Sequence, residues 1–338
     1  MSIENSSMMT FGPVPSRRLG RSIGINNIQA KRCTYSCGYC QAGRTTCLQK
    51  DPADFHHTGT VFREVEARLS EARMRSEKVD YITFVPNGEP SLDLGLGREI
   101  ELVRSLGIPV AVITNGSLLW RDEIREALSL ADWVSVKVDT VVEPLWRRVN
   151  RPEGSLLLQN ILGGIRVFAR EYRGVLVTET MLIGGMNDTS VSVSETARFI
   201  REIDPSKAFI SIPVRPPMEE RFRIPSPSAL GRAFEIFSST GMEVEMLQDY
   251  EGDAFTSTSD VRTDILGITS VHPMGADAMR HLLSSSGAGW DLVEQMVSAG
   301  ELVRRKHRGQ VFFVRRRGSI QPSTDGNYSF GTTFVSGG

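Results

Sequence analysis

Short apolar, largely β-branched runs alternate along this chain with longer stretches whose apolar positions recur every three to four residues. The runs cover 22–28, 79–86, 108–116, 133–140, 174–185 and 208–214, and Gly, Asn or Pro closes most of them. In the stretch 60–77, Val61, Val65, Leu69 and Ala72 fall on one helical face. The segments 122–131, 192–203 and 228–241 read the same way, the last stopping at Gly241. Strands alternating with helices predict a parallel sheet with right-handed crossovers. Six such units form either an open doubly wound sheet or a partial barrel, and periodicity alone does not decide between them.

The pattern changes near Asp249. Residues 249–260 are polar and rich in turn formers, as a linker would be. A compact segment follows at 264–273, then helix-like 275–287 and 290–300. Two strand-like pieces, 301–307 and 310–317, meet at Arg308-Gly309. Helices followed by a hairpin read as a small winged-helix-like domain. The expected division is a barrel over 11–248, a linker over 249–263, the small domain over 264–317 and a flexible tail over 318–338.

A chain of 338 residues fits one large domain plus a small one. Its formal net charge of −1 gives no global field, so a nucleic-acid or acidic-membrane partner would need a local patch. No apolar run is long enough to span a bilayer, and residues 1–16 lack the pattern of a secretory signal. The expected compartment is the cytoplasm, where clustered cysteines serve metals or catalysis more often than disulfides.

That matters because three of the four cysteines, Cys33, Cys37 and Cys40, crowd into KRCTYSCGYCQAG, residues 31–43. Four readings compete. Zinc needs a fourth ligand, from Cys47 or His56-His57, and the spacing is not that of paired knuckles. A redox pair at Cys37-Cys40 leaves Cys33 unexplained. Inert structural thiols fit poorly in a loop of Lys, Arg, Ser and Gly. An iron–sulfur cluster suits closely spaced thiolates, and three ligands in place of four leave one iron open.

The spacing Cys33-x3-Cys37-x2-Cys40, with aromatic Tyr39 before the last cysteine and a strand-like run upstream, resembles the signature of the radical S-adenosylmethionine (radical SAM) superfamily. The resemblance spans about 11–214 and implies an α/β fold, a partial (β/α)6 barrel open on one side. It implies a 4Fe–4S cluster on the three cysteines, with S-adenosylmethionine (SAM) chelated to the open iron. One-electron reduction would then cleave SAM to methionine and a 5′-deoxyadenosyl radical that abstracts a substrate hydrogen. Asn87-Gly88-Glu89-Pro90 resembles the family's GGE-type turn, with Asn87 in place of the first glycine. The resemblance thus makes Tyr39, Gly88, Glu89 and Pro90 candidate contacts to SAM. The same holds for Asn115 in ITNG and for Ser135, Lys137 and Asp139 in SVKVDT; Glu179 and Arg215 lie near later strand ends. For Glu89 a plain helix cap is the competing reading, and for Lys137 and Asp139 a structural ion pair.

The lead-in GPVPSRRLGRSIGIN is similar to an Fe–S oxidoreductase branch related to the radical enzymes that build the wybutosine base of tRNA. Those enzymes carry further N-terminal cysteines for a second cluster, and residues 1–32 have none. Cys47 is read as a bystander. Arg17, Arg18 and Arg21 either face the barrel mouth, ready for a phosphate or carboxylate, or pack beneath the barrel. Arg304–Arg308 and Arg315–Arg317 would place like charges on both arms of the hairpin, which repel unless an anion lies over them. That basic wing favours a tRNA or peptide substrate; a small metabolite, a structural lid and a solvated wing are the other readings. A ferredoxin or flavodoxin is the electron donor implied by the resemblance. The reading from another class is a non-catalytic iron or redox sensor that binds DNA through the winged helix.

Overall fold

The computed structural model describes residues 9–29, 31–57, 59–247 and 260–316. The chain opens with an antiparallel hairpin of β1 (Thr10–Ser16) and β2 (Gly20–Ile25). A two-residue ladder of β3 (Arg32–Cys33) and β4 (Cys47–Leu48) ties the ends of the cysteine stretch together. Helices and strands then alternate: α1 (Thr60–Met74), β5 (Tyr81–Phe84), α2 (Leu96–Arg104), β6 (Val110–Thr114), α3 (Asp122–Leu128) and β7 (Trp133–Lys137). They continue with α4 (Glu143–Val149), α5 (Leu158–Glu171), β8 (Val175–Met181), α6 (Ser190–Ile203), β9 (Lys207–Ser211), α7 (Pro227–Ser238) and β10 (Val244–Leu247).

These strands form one sheet in the order β1-β2-β5-β6-β7-β8-β9-β10, parallel throughout except for β1 against β2. Ile82, Phe84, Val110, Val112, Val134 and Val136 point to the helix side and fill the main core. The alternate positions Ala111, Trp133, Val177, Phe209 and Leu247 meet in one separate cluster with Leu19. The tip of the β1–β2 hairpin reaches across this face, where Arg17 Nη1 donates to Leu247 O of β10 at 3.2 Å, so the sheet curls around a lumen; β1 and β10 are not paired, so it stays open.

All six expected strands are present, four of them within narrower bounds, while β2 and β9 start at Gly20 and Lys207, ahead of the expected 22 and 208. Two more were not expected. β1 contains Gly12, Pro13 and Pro15, which argue against a strand in sequence but are tolerated at a sheet edge. β10 is four residues long at the opposite edge. The first run stops at Ile25, before the expected 28, because the next two side chains leave the ladder for turns. Asn26 Oδ1 accepts from Asn87 N at 2.9 Å, and Asn27 Nδ2 donates to Asp93 Oδ2 at 3.0 Å. Val61, Val65, Leu69 and Ala72 of α1 are all buried, as their spacing predicts, and so is Arg68.

The C-terminal segment comprises α8 (Val261–Val271), β11 (Met274–Gly275), α9 (Ala276–Ser286), α10 (Asp291–Ser298), β12 (Leu302–His307) and β13 (Gln310–Arg315). α8 begins inside the span expected to be linker, capped by Asp260, whose Oδ1 accepts from Thr263 N at 3.1 Å. The rest of that linker, 249–259, and the tail, 318–338, lie outside the described residues. The strands form an antiparallel sheet in the order β11-β13-β12. Arg308 and Gly309 join the hairpin with φ of 51° and 75°, the positive pair a type I′ turn needs. The register corrects one expectation. Arg304, Arg305 and Lys306 face Phe313, Phe312 and Val311, so the like charges of the two arms do not oppose one another.

This segment shares its apolar core with the barrel: Phe11 and Val14 of β1 pack with Ile265, Ile268, Met279, Leu282 and Phe313. Arg68 fixes the joint. Its Nη1 meets Asp264 Oδ1 at 2.9 Å and Gly12 O at 3.3 Å, and its Nε donates to Thr10 Oγ1 at 3.3 Å. Both charged side chains are buried. Asp264→Ala takes the carboxylate from a buried guanidinium and is expected to lower unfolding free energy by roughly 3–5 kcal/mol. Chemical denaturation of the full chain measures it, with Asp264→Asn, which keeps an acceptor oxygen, losing less.

Candidate active site

In a parallel sheet the loops after the strands' carboxyl ends cluster at one end. Here the loops after β2, β5, β6, β7 and β9 meet around one cavity of about 230 Å³, with the end of β8 in its wall. Cys33, Cys37 and Cys40 line it together. Each sulfur faces an N–H. Cys33 Sγ lies 3.4 Å from Tyr35 N and 3.7 Å from Asn115 Nδ2. Cys37 Sγ lies 3.5 Å from Asn150 Nδ2, and Cys40 Sγ 3.4 Å from Lys31 Nζ. Burial, reinforced by the neighbouring Asp139 and Cys40, pushes the Cys37 thiol up to about 12. Burial, with Glu89 and Cys37 nearby, raises Cys33 as well. Sulfurs that are hard to ionise alone yet surrounded by donors suit a bound metal, which displaces the thiol proton outright. Among the described residues no three His, Cys, Asp or Glu side chains converge closely enough for a single ion. Three spread sulfurs fit a multi-iron cluster better than zinc.

The loop's shape depends on two glycines. A Cβ on Gly38 would stand 2.0 Å from the Phe222 ring, and one on Gly88 only 1.9 Å from Arg32 O. Gly88 thus lets the turn after β5 lie against the start of the cysteine loop, where Glu89 N donates to Arg32 O at 3.2 Å. The Glu89 carboxylate faces the cavity but is already occupied. It accepts from Ser91 Oγ at 2.7 Å, Thr114 Oγ1 at 2.5 Å and Asn115 N at 2.8 Å. Burial pushes its ionisation upward while these donors oppose that shift. Glu89 also caps the short 3-10 helix Pro90–Leu92, so the cap reading holds for its side chain.

Tyr39, Gly88, Glu89, Asn115 and Lys137 line the cavity; Pro90, Ser135 and Asp139 lie behind its wall. Pro90 opens the 3-10 helix, and the Ser135 hydroxyl is buried within β7 with no hydrogen-bond partner among the described residues. Asp139 is a hub. It accepts from the Tyr39 hydroxyl, from Asn150 Nδ2 at 2.6 Å and from Met181 N at 2.9 Å. Lys137 Nζ lies 3.2 Å from Glu179 Oε1, 3.9 Å from Asp139 Oδ1 and 5.2 Å from the Tyr39 ring centre. Glu179 also pairs with Arg18 and accepts from Ser211 Oγ at 2.9 Å. Burial works against its charge, but Arg18, Lys137 and Arg17 outweigh it and hold the carboxyl well below the usual range.

The arginine triplet splits. Arg17 and Arg18, at the tip of the β1–β2 hairpin, line the cavity from the lumen, above Leu19 in the apolar cluster. Arg21 points to Glu77, 3.7 Å away, outside the cavity. Arg215 lines the wall and reaches Gln41 Oε1 at 2.9 Å and His272 Nε2 at 2.5 Å. His272, at the end of α8, is held well below the ordinary imidazole range by burial and by Arg215 and Arg17, so its Nε2 accepts from the guanidinium. Cys47 is not in the cavity wall; its Sγ donates to Gln49 Oε1 at 3.1 Å. Sequence reasoning missed Lys31 and Asn150. Lys31 opens the cysteine stretch but reads as a surface charge, and no spacing connects Asn150 to Cys37.

Residues 28–200 match the family model of the radical SAM superfamily, and the chain belongs to that superfamily of enzymes. Its cofactors are a 4Fe–4S cluster and SAM, which the donor-lined cysteines fit. Within it the chain belongs with the UPF0026 proteins. It is 41% identical to the one from Methanocaldococcus jannaschii over 91% of this chain and 96% of that one. It is 36% identical to the one from Synechocystis over 61% and 76%. Among solved structures, TYW1 with a lysine–pyruvate adduct aligns at a TM-score of 0.52 and 15% identity, covering 65% of this chain and 74% of that one. A radical SAM methyltransferase from Sphaerobacter thermophilus aligns at 0.51 and 17%, covering 67% and 66%. Both show likeness of fold.

Gly88→Ala forces a backbone clash at the foot of the cysteine loop. The expected outcome is an iron content after anaerobic reconstitution well below wild type with circular dichroism unchanged; iron and sulfide assays check it.

Proposed function

We propose that Cys33, Cys37 and Cys40 hold the 4Fe–4S cluster and that the cavity beside them takes SAM and the reacting part of the substrate. The observation that carries this reading is the set of three sulfurs on one cavity, each with its own N–H donor. When bound, cluster and SAM supply reductive cleavage to methionine and a 5′-deoxyadenosyl radical, which takes a hydrogen atom from the substrate. The chain's own residues shape and charge the site. The Gly88–Pro90 turn and Asn115 fix the cysteine loop on one side. Tyr39, backed by Asp139 and Asn150, fixes it on the other. Lys137 offers a cation to a carboxylate of SAM or substrate, with Glu179 as its resting counter-charge and Ser135 beneath it in the strand. No observation favours the DNA-binding sensor.

The order α8, β11, α9, α10, β12, β13, with β11 beside β13, supports a winged-helix-like module as the second part of the chain. The reading divides the chain near 11–248 and 260–317, within the cytoplasm, and a ferredoxin or flavodoxin would supply the electron. An RNA substrate is favoured over a peptide by a groove of about 720 Å³ between residues 216–224 and the hairpin. Arg223, Arg305, Lys306 and Arg308 line it beside a single carboxylate, Glu220, and none of the four pairs with a carboxylate among the described residues. The groove adjoins the cysteine cavity: His307 Nε2 lies 3.0 Å from the carbonyl of Pro213, which lines that cavity. Arg304 is different, being paired with Glu294.

Two experiments test these readings. Anaerobically reconstituted protein given SAM and dithionite is expected to release 5′-deoxyadenosine, and Cys→Ser at position 33, 37 or 40 to abolish it; a loaded cluster without product sinks the radical reading. Neutralising Arg305, Lys306 and Arg308 to Gln is expected to weaken binding of single-stranded RNA and to flatten its log–log salt dependence by about 0.7 for each phosphate no longer neutralised. Arg304→Gln is expected to change it little. An unaltered salt slope in the triple variant removes RNA from the groove.

A further inference from the structure

Lys31 is a buried lysine with unusual surroundings. Its backbone has a φ of 60°, a conformation rare for residues with a side chain. It is pinned there, with its N–H donating to Asn87 O at 2.9 Å and its carbonyl accepting from Thr46 N and Cys47 N at 3.1 Å each. Only 2% of the residue is exposed. A buried ammonium is costly unless an opposite charge lies against it. Among the described residues no carboxylate comes within ion-pair distance of Lys31, and its hydrogen-bond acceptor is Cys40 Sγ at 3.4 Å. The other two cysteines receive neutral donors, from Tyr35 N, Asn115 and Asn150. Lys137, the lysine that lines the cavity, is already met by Glu179.

We propose that Lys31 is the built-in counter-charge of the cluster, its ammonium donating to the Cys40 thiolate and favouring the reduced, more negative cluster. The inference rests on the assignment of Cys33, Cys37 and Cys40 as ligands. Its physical basis is that net charge and hydrogen bonds to the sulfurs set an iron–sulfur potential. One electron added to the cluster raises its negative charge by one, and a fixed cation at the sulfur stabilises that state more than the oxidised one. Lys31 is thus a positioning and tuning residue, touching a ligand sulfur rather than substrate.

The test is an EPR-monitored redox titration of reconstituted wild type, Lys31→Met, Lys31→Gln and Lys31→Arg. The uncharged variants are expected to lose about tenfold in the equilibrium constant for reduction, ~59 mV for a one-electron couple, and Lys31→Arg to stay near wild type. Loaded Met or Gln variants with a wild-type potential overturn the proposal. If the uncharged variants load no iron, a loaded Lys31→Arg at wild-type potential upholds the need for charge. Failure of all three variants overturns it, because the site would then need the shape of lysine rather than its charge. Failure of wild type itself to load a cluster strikes the ligand assignment instead, which keeps the two ideas apart.

Discussion

Three sulfurs that one loop presents to one cavity impose the constraint around which this molecule is built. As thiols Cys33 and Cys37 resist ionisation through burial and the charges beside them; as ligands of a cluster the three would carry negative charge into the cavity wall. The fold answers by aiming donors at each of them. The donors come from different places: Tyr35 and Lys31 from the loop itself, Asn115 from the end of β6 and Asn150 from the end of α4. A parallel sheet makes this convergence possible, because every strand delivers its next loop to the same end. The loop is short of its own regular structure, so its shape is borrowed from neighbours, through Val149 O, Asn150 O, Asn87 O and the close passes at Gly38 and Gly88.

The lumen shows the same concern with charge, graded by depth. Its lower layer, with Leu19, Ala111, Trp133, Val177 and Phe209, is apolar. Further up the same strands come Lys137 and Glu179, opposite each other in the register and joined by Arg18 from the hairpin tip. Against the cost of burial, Arg18 and Lys137 hold the Glu179 carboxyl well below the usual range, so this layer stays charged in the neutral range. Polar chemistry is thereby confined to the upper end of the barrel, where the cysteines lie. The hairpin that supplies Arg17 and Arg18 fills space that a closed barrel would give to its own strands.

What was legible in the sequence follows from how local each signal is. Strand positions at β5 through β9 are set by runs that any parallel sheet buries on both faces, and the α1 stripe by a spacing that one helix satisfies alone. The cysteine triplet is local too, lying within eight residues. β1 was obscured by prolines that only its edge position permits, and β10 by its length. The network around the cysteines was not legible, because Asn150 stands 113 residues from Cys37 and Arg18 stands 161 from Glu179. The hairpin was legible as a hairpin but misleading in its charges, since the register that sets them opposite Phe312 and Phe313 follows from the two-residue turn.

The C-terminal segment is built onto the barrel rather than beside it. A module that merely carried a substrate would hang on a linker with its own closed core. Here its core is completed by Phe11 and Val14 of β1, and the buried Arg68–Asp264 pair crosses the same boundary. His272 backs Arg215 at the cavity wall, and His307 holds the carbonyl of Pro213. These interactions link one end of α8 and the tip of β12 to the segment after β9, which is itself part of the wall. Displacing the segment would expose apolar surface of β1 and strand a buried guanidinium at once, so partial detachment is penalised twice. The barrel and the C-terminal segment therefore present one joined surface here, and the groove beside the hairpin is tied to the cavity wall through His307 and the carbonyl of Pro213.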